Sequence, residues 1–229
     1  MKKGNKIIVV VVLVLVVLFG VGQFFASSNI NAPGNQTTST STQSTNATPA
    51  TQVIAYVPPA PASSTPVENG SCWTNSIAAP FRSDAWRCAI GNGISDPCFA
   101  IPNSTGSLMC NVNPTMPDST STFVLKLTKP LPQSQPIQGL PLAEQVWLIQ
   151  LSDGTLCSPF EGTRPFTASG ESANYDCAPG PLGKDVLIFG DLNTSSSVWT
   201  ANIGTLSAPT SSLPTIATSS TVPVAAVWQ

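Results

Sequence analysis

The stretch Val146-Trp-Leu-Ile-Gln-Leu-Ser-Asp-Gly-Thr-Leu-Cys157 decides how this chain folds. An apolar run rich in β-forming residues stops at Ser152-Asp-Gly-Thr155 and resumes at Leu156. Asp-Gly between two such runs signals a hairpin, because glycine accepts the positive φ that tight hairpin turns require. Four further runs have the same character: Phe123–Leu127, Val186–Phe189, Val198–Ile203 and Val222–Trp228. Several alternate with period two, as half-buried strands do. The 22 prolines argue against long helices, since each removes a backbone donor and fixes φ. One short helix is expected, with Ser83 capping a turn or two through Cys88 before Gly91 ends it. The fold class read from these signals is mainly β, a small disulfide-stapled barrel or sandwich.

Six cysteines, Cys72, Cys88, Cys98, Cys110, Cys157 and Cys177, follow the apolar N-terminal segment. An even count in an exported chain implies disulfides, and the absence of any C-x-x-C pair speaks against zinc or thiol-redox chemistry. Six cysteines admit several pairing schemes, and sequence does not choose among them. The expectation here is pairing of neighbours, Cys72 with Cys88, Cys98 with Cys110 and Cys157 with Cys177, because a long interval separates the last two from the rest. No metal and no cofactor is expected.

The N-terminus begins Met1-Lys-Lys-Gly-Asn-Lys6, and from Ile7 to Phe19 no side chain is polar. An apolar stretch over residues 7–26 is long enough to cross a bilayer as a helix. Its length favours an uncleaved signal anchor over a cleaved signal peptide, whereas Ala26-Ser27-Ser28 suits cleavage. The lysines place the N-terminus in the cytoplasm and the rest outside, at the cell membrane if anchored and secreted if cleaved. Residues 29–69 are rich in Ser, Thr, Pro and Asn with one charge, Glu68, and read as a disordered stalk with polyproline character near Pro58–Pro66. Val53–Val57 is its one apolar patch; Pro58 and Pro59 favour linker over a first strand. The expected organisation is therefore 1–28 anchor, 29–69 stalk and 70–229 extracytoplasmic β domain. Asn-X-Ser/Thr sequons at Asn35, Asn46, Asn69, Asn103 and Asn193 are common by chance in so Ser/Thr-rich a chain.

Lys2, Lys3 and Lys6 are three of the nine basic residues, which leaves six against eleven acidic ones beyond the anchor, a net of −5. Such a surface repels phosphate backbones, and no nucleic-acid partner is expected. The chain has no histidine. Ser-His-Asp and Cys-His nucleophile systems, histidine general acid–base catalysis and histidine-containing zinc sites are thereby removed.

The block Gly70-Ser-Cys-Trp-Thr-Asn-Ser-Ile77, Arg82-Ser-Asp-Ala-Trp-Arg-Cys-Ala-Ile-Gly-Asn92 and Ile94-Ser-Asp-Pro-Cys-Phe99 is the most distinctive in the chain. With Leu151–Cys157, Glu161-Gly-Thr163 and Asn174-Tyr-Asp-Cys177, it resembles a group of uncharacterised exported or membrane-anchored proteins of Gram-positive-type bacteria, over most of residues 70–228. The resemblance implies a bacterial extracytoplasmic module, and no activity or substrate. Read as physics, Trp73 and Trp86 are apolar anchors, Gly91-Asn92-Gly93 suits a tight turn, and Asp96 before Pro97 suits an Asx turn. Arg82, Asp84 and Arg87 form the one close charge cluster. It reads first as an ion pair fixing a loop, and second, with Trp73 and Trp86, as a small binding site for an anionic or sugar ligand.

Three functions are compatible with this reading. The first is a tethered binding or interaction module facing another surface protein or a cell-wall ligand, not an enzyme. The second is a histidine-free glycoside hydrolase drawing two carboxylates from Asp84, Asp96, Glu144, Glu161, Glu171, Asp176, Asp185 and Asp191. The third is a structural accessory subunit of a membrane complex. A concave groove beside Trp73, Trp86, Trp147, Trp199 or Trp228 would favour the first.

Overall fold

The structure, a computed structural model, describes residues 48–117, 119–160, 162–167, 169–177, 186–206 and 216–229. The proposed anchor, residues 29–47 of the proposed stalk, Glu161 and Asp185 lie outside the described residues. Among the described residues no helix is long and apolar enough to cross a membrane.

Every one of the five apolar runs forms a strand. Twelve strands are described: β1 Gln52–Ile54, β2 Val67–Asn75, β3 Ala85–Ile90, β4 Gly93–Ala100, β5 Ser107–Cys110, β6 Phe123–Leu127, β7 Leu148–Leu151, β8 Leu156–Pro159, β9 Ala173–Cys177, β10 Val186–Asn193, β11 Thr200–Leu206 and β12 Ile216–Trp228. The Asp-Gly hairpin joins β7 to β8. There Gly154 takes φ +89, its N–H donates to the Leu151 carbonyl at 3.0 Å, and the Thr155 N–H donates to the Asp153 carboxylate at 2.9 Å. Gly91, at φ +57, likewise turns β3 into β4. The one helical element described is a short 3₁₀ turn, Leu142–Glu144.

The strands close into two barrels rather than one barrel or a sandwich. Strands β2 to β6 form the first, as a five-strand meander, and β7 to β12 form the second. Strand direction cannot alternate all the way round a closed meander of five, so one pair must be parallel, and it is β2 with β6. Six strands can alternate throughout, and β12 returns antiparallel to β7. The two barrels and β1 belong to one compact unit, Asn46–Gln229.

Three expectations are corrected. The segment Ser83–Cys88 is not helical: Ala85–Ile90 is β3, held between β2 and β4, and its side chains alternate in burial over Trp86, Arg87 and Cys88. A capping serine offers one hydrogen bond, whereas this strand fills two ladders. The folded unit also takes in the described part of the region assigned to the stalk, residues 48–69. Val53 lies in β1, and Val67–Gly70 pairs with Val124–Leu127 of β6. Pro58 and Pro59 do not prevent this, because they follow β1 and sit in the connection to β2. Finally, Asp96 lies within β4 instead of in a turn.

The disulfides are Cys72–Cys88, Cys98–Cys110 and Cys157–Cys177, the expected neighbours. Each joins residues directly opposite one another on adjacent antiparallel strands: β2 and β3, β4 and β5, β8 and β9. That register brings the Cβ atoms within bonding reach. The first two disulfides pack with Trp86, Leu108 and Leu125 in the first barrel's core; the third packs with Ile149, Tyr175, Ile188 and Val227 in the second.

Long β12 serves two neighbours along one edge. Thr200–Leu206 of β11 pairs along its first part, and β1 takes over parallel at Ala226–Trp228. Thr51 joins the two, its hydroxyl donating to the Val224 carbonyl at 2.7 Å and accepting the Trp199 N–H at 2.8 Å. Pro223, which a central strand tolerates only near an irregularity, stands at this handover.

Gly70 is where the first barrel has no space. A Cβ there would stand 2.3 Å from the Ala89 carbonyl oxygen and 2.8 Å from Leu125 Cδ1. Gly70→Ala is expected to destabilise the protein by about 1–3 kcal/mol, the range for overpacking. Urea unfolding with a midpoint unchanged from the parent would refute this.

Candidate functional site

The charge cluster separates into two ion pairs with different surroundings. The Arg82 guanidinium donates from Nε and Nη2 to both Asp84 carboxylate oxygens, at 2.8 and 2.6 Å. Its Nη1 donates to the Tyr56 and Gln229 carbonyls, at 2.8 and 2.6 Å, and the group lies 4.7 Å above the Phe99 ring. These acceptors come from the ends of β1 and β12 and from the residue before β3. Arg82 thus bridges the barrels, and four of its five N–H groups are already engaged.

Arg87 pairs with Asp96 and not with Asp84. The distance is 3.0 Å, and the Asp96 side chain is 1% exposed. Asp96 also accepts the Ser76 hydroxyl and, at 3.1 Å, the Ile77 N–H. The Ser76 hydroxyl accepts the Ala79 N–H in turn, so the pair fastens the loop that follows β2. Of the two tryptophans read as anchors, Trp86 is buried in the first core. Trp73 is 49% exposed, with Arg87 5.9 Å from its ring. The five candidate residues therefore do not form one site: Arg82 and Asp84 lie at the barrel junction, Arg87 with Trp73 lies at the surface, and Trp86 lies inside.

The junction is an apolar cluster of Tyr56, Ala79, Ala85, Phe99, Trp147, Leu148, Ala226 and Trp228. Tyr56, Phe99 and Trp147 form a ring triad with centroids 4.9 to 5.2 Å apart. Each aromatic pair contributes about 0.5–1.5 kcal/mol beyond the area it buries. Burial pushes the Tyr56 phenol up to about 12, against a smaller downward pull from Arg82. Burial also raises the Tyr175 phenol, and Asp191 adds to the shift.

Beside this junction lies a cleft of about 660 Å³. One wall is the segment from Ile54 to Pro66 that links β1 to β2; the other is formed by described residues of the loop between β5 and β6, from Val112 to Pro117 and from Ser119 to Thr122, with Met109 and Trp228 contributing, while Asp118 lies outside the described residues. Among the described residues its lining includes no Lys, Arg, Asp or Glu. The volume falls within the range of small-ligand pockets. Of the tryptophans named from sequence, Trp228 alone lines it. The wall from Ile54 to Pro66 was not anticipated, because that segment was read as stalk. A second cleft of about 500 Å³, between Pro66, Glu68, Ile90–Ser95 and Thr120–Phe123, contains one carboxylate, Glu68.

The candidate acids among the described residues do not gather at either cleft. Asp84 and Asp96 are engaged in the pairs above, Glu144 is in the 3₁₀ turn, and Asp176 and Asp191 are in β9 and β10. Glu171 is in a loop, where it accepts the Ser169 hydroxyl at 3.5 Å. Among the described residues no group of three or more His, Cys, Asp or Glu side chains could hold a metal ion.

Compared with protein-family descriptions, curated proteins and solved structures, the chain matches none.

Two outcomes are expected. Arg82→Lys removes the planar fork that reaches both Asp84 and the two carbonyls. The ion pair counts for little because Asp84 is more than a third exposed, so the loss comes chiefly from the backbone acceptors, about 2 kcal/mol. Urea unfolding should also separate into two transitions as the barrels uncouple; a single transition at the parent midpoint would contradict the bridging role. The second outcome concerns pH. Both tyrosines of the chain have raised folded-state pKa values, so the unfolded chain releases these protons first. Their contribution to stability is complete below pH ~10 and is lost as pH rises through 10 to 12. Tyrosinate absorbance of the folded protein should stay low at pH ~10.5 and rise together with unfolding; half-ionisation near pH 10 with the fold intact would be inconsistent with this.

Proposed function

We propose that this chain is a membrane-tethered extracytoplasmic binding module whose ligand seat is the cleft beside the barrel junction. The observation that carries the reading is the cleft itself: a concavity of about 660 Å³ against Tyr56 and Trp228, next to a rigid junction, with no charged side chain among its described lining residues. Rigid scaffolds that leave an apolar concavity between loops are where ligands are commonly held. The lysine-flanked apolar segment over residues 7–26 supports tethering, and three disulfides support an oxidising compartment. The resemblance to exported proteins of Gram-positive-type bacteria agrees with that address. The composition of the described lining points to a neutral ligand, either a segment of another envelope protein or an uncharged part of a cell-wall polymer.

Photo-crosslinking in cells tests this reading. A photoreactive side chain in place of Ala62, exposed on the cleft wall, should capture an envelope component; the same group in place of exposed Lys129, outside the cleft, should not. Absence of an adduct at 62, or equal adducts at both positions, would overturn it.

A further inference from the structure

The cleft is bordered by a strand that is paired on one side. The carbonyl of Ile54 accepts the Gln229 N–H and the Tyr56 N–H donates to the Gln229 carbonyl, both at 2.9 Å, so residues 54 and 56 direct their backbone groups at β12. Backbone direction alternates along a strand. Thr51, Val53 and Ala55 therefore direct theirs to the opposite edge. At Thr51 that edge is occupied, because its N–H donates to the Ser197 carbonyl at 2.9 Å. From Val53 onward it has no partner among the described residues.

The usual protections of an edge strand are only partly present. Lysines and inward-pointing charges keep exposed edges from pairing with other chains. From Thr51 to Pro66 there is no charged residue. Val53 and Val57 are 44% and 66% exposed, and Ala55 between them is exposed. Ala55 and Val57 also line the cleft, whose described lining has no charged side chain. The edge ends at Pro58 and Pro59, so a strand added to it would be short.

We propose that the outer edge of β1 takes an extended, uncharged segment of a partner protein by strand addition, with the added strand's side chains lodged in the neighbouring cleft. The inference rests on the binding-module reading and names its ligand. Unpaired N–H and C=O groups at strand spacing recognise a polypeptide backbone, which a glycan or lipid chain does not offer. The described lining has no charged side chain, which disfavours charged groups that would lose hydration there without gaining a partner.

The test uses the full chain in mild detergent and a displayed library of uncharged peptides. Panning should enrich peptides, and the enriched peptide should bind Ala55→Pro at least about tenfold more weakly, the value of one lost hydrogen bond. Proline at 55 removes an outward N–H and leaves the Gln229 bonds to Ile54 and Tyr56 in place, so the melting temperature should be retained. If that variant fails to fold, the parent protein still decides: N-methylation of alternate peptide residues should abolish binding in one register and spare it in the other. Enrichment of no peptide, or undiminished binding by Ala55→Pro and by both N-methylated peptides, overturns strand addition. A crosslink at position 62 together with either of those results would leave the module reading standing and reject only its peptide ligand.

Discussion

Two closed barrels, each with its own core and its own disulfide bonding, are tethered by the chain between β6 and β7 and by the segment that links β1 to β2, but a tether does not fix how they meet. What joins them is a guanidinium. Arg82 stands between the barrels and satisfies carbonyls at the ends of β1 and β12 together with the carboxylate that precedes β3. The aromatic triad fills the space beneath it, so the same contact seals an apolar interface and ties off strand ends whose carbonyls would otherwise be left short of partners. A lysine could neutralise Asp84, but it could not present this planar set of donors.

The cleft depends on that junction. Its wall from Ile54 to Pro66 runs from β1, which belongs to the second barrel's sheet, to β2, which belongs to the first. Because its two ends are in different barrels, its course over the surface is set by how the barrels meet. Tyr56 anchors it, with the ring in the junction and the carbonyl on Arg82. Cleft shape and barrel coupling are therefore two consequences of one set of contacts.

Much of the local structure was legible from sequence. The five apolar runs became strands, the Asp-Gly and Gly-Asn turns appeared where backbone chemistry requires glycine, and neighbouring cysteines paired. Short-range signals fail where a second partner intervenes. Ser83-Asp-Ala-Trp-Arg-Cys88 has a helix-capping start, yet ladders on both sides and the Cys72–Cys88 disulfide make it a strand. The polar, proline-rich composition of residues 48–69 argued for a tether. Its few apolar side chains suffice because Tyr56 docks into a junction built by residues far along the chain. The charge cluster was legible only as a cluster: Arg87 and Asp84 are close in sequence, but strand alternation directs Arg87 to Asp96 instead.

By itself the sequence determined residue-level chemistry: a histidine-free chain with β-forming runs, an even cysteine set and an apolar, lysine-flanked start. Each of these follows from composition or from neighbours a few positions apart. Only the tertiary structure decided that there are two barrels, that Arg82 couples them, and that a cleft lies beside the coupling. Strand count, closure and the Arg82 contacts join positions as distant as Tyr56, Arg82 and Gln229. Pairing over such separations is chosen by the simultaneous burial of both cores, which no local pattern encodes.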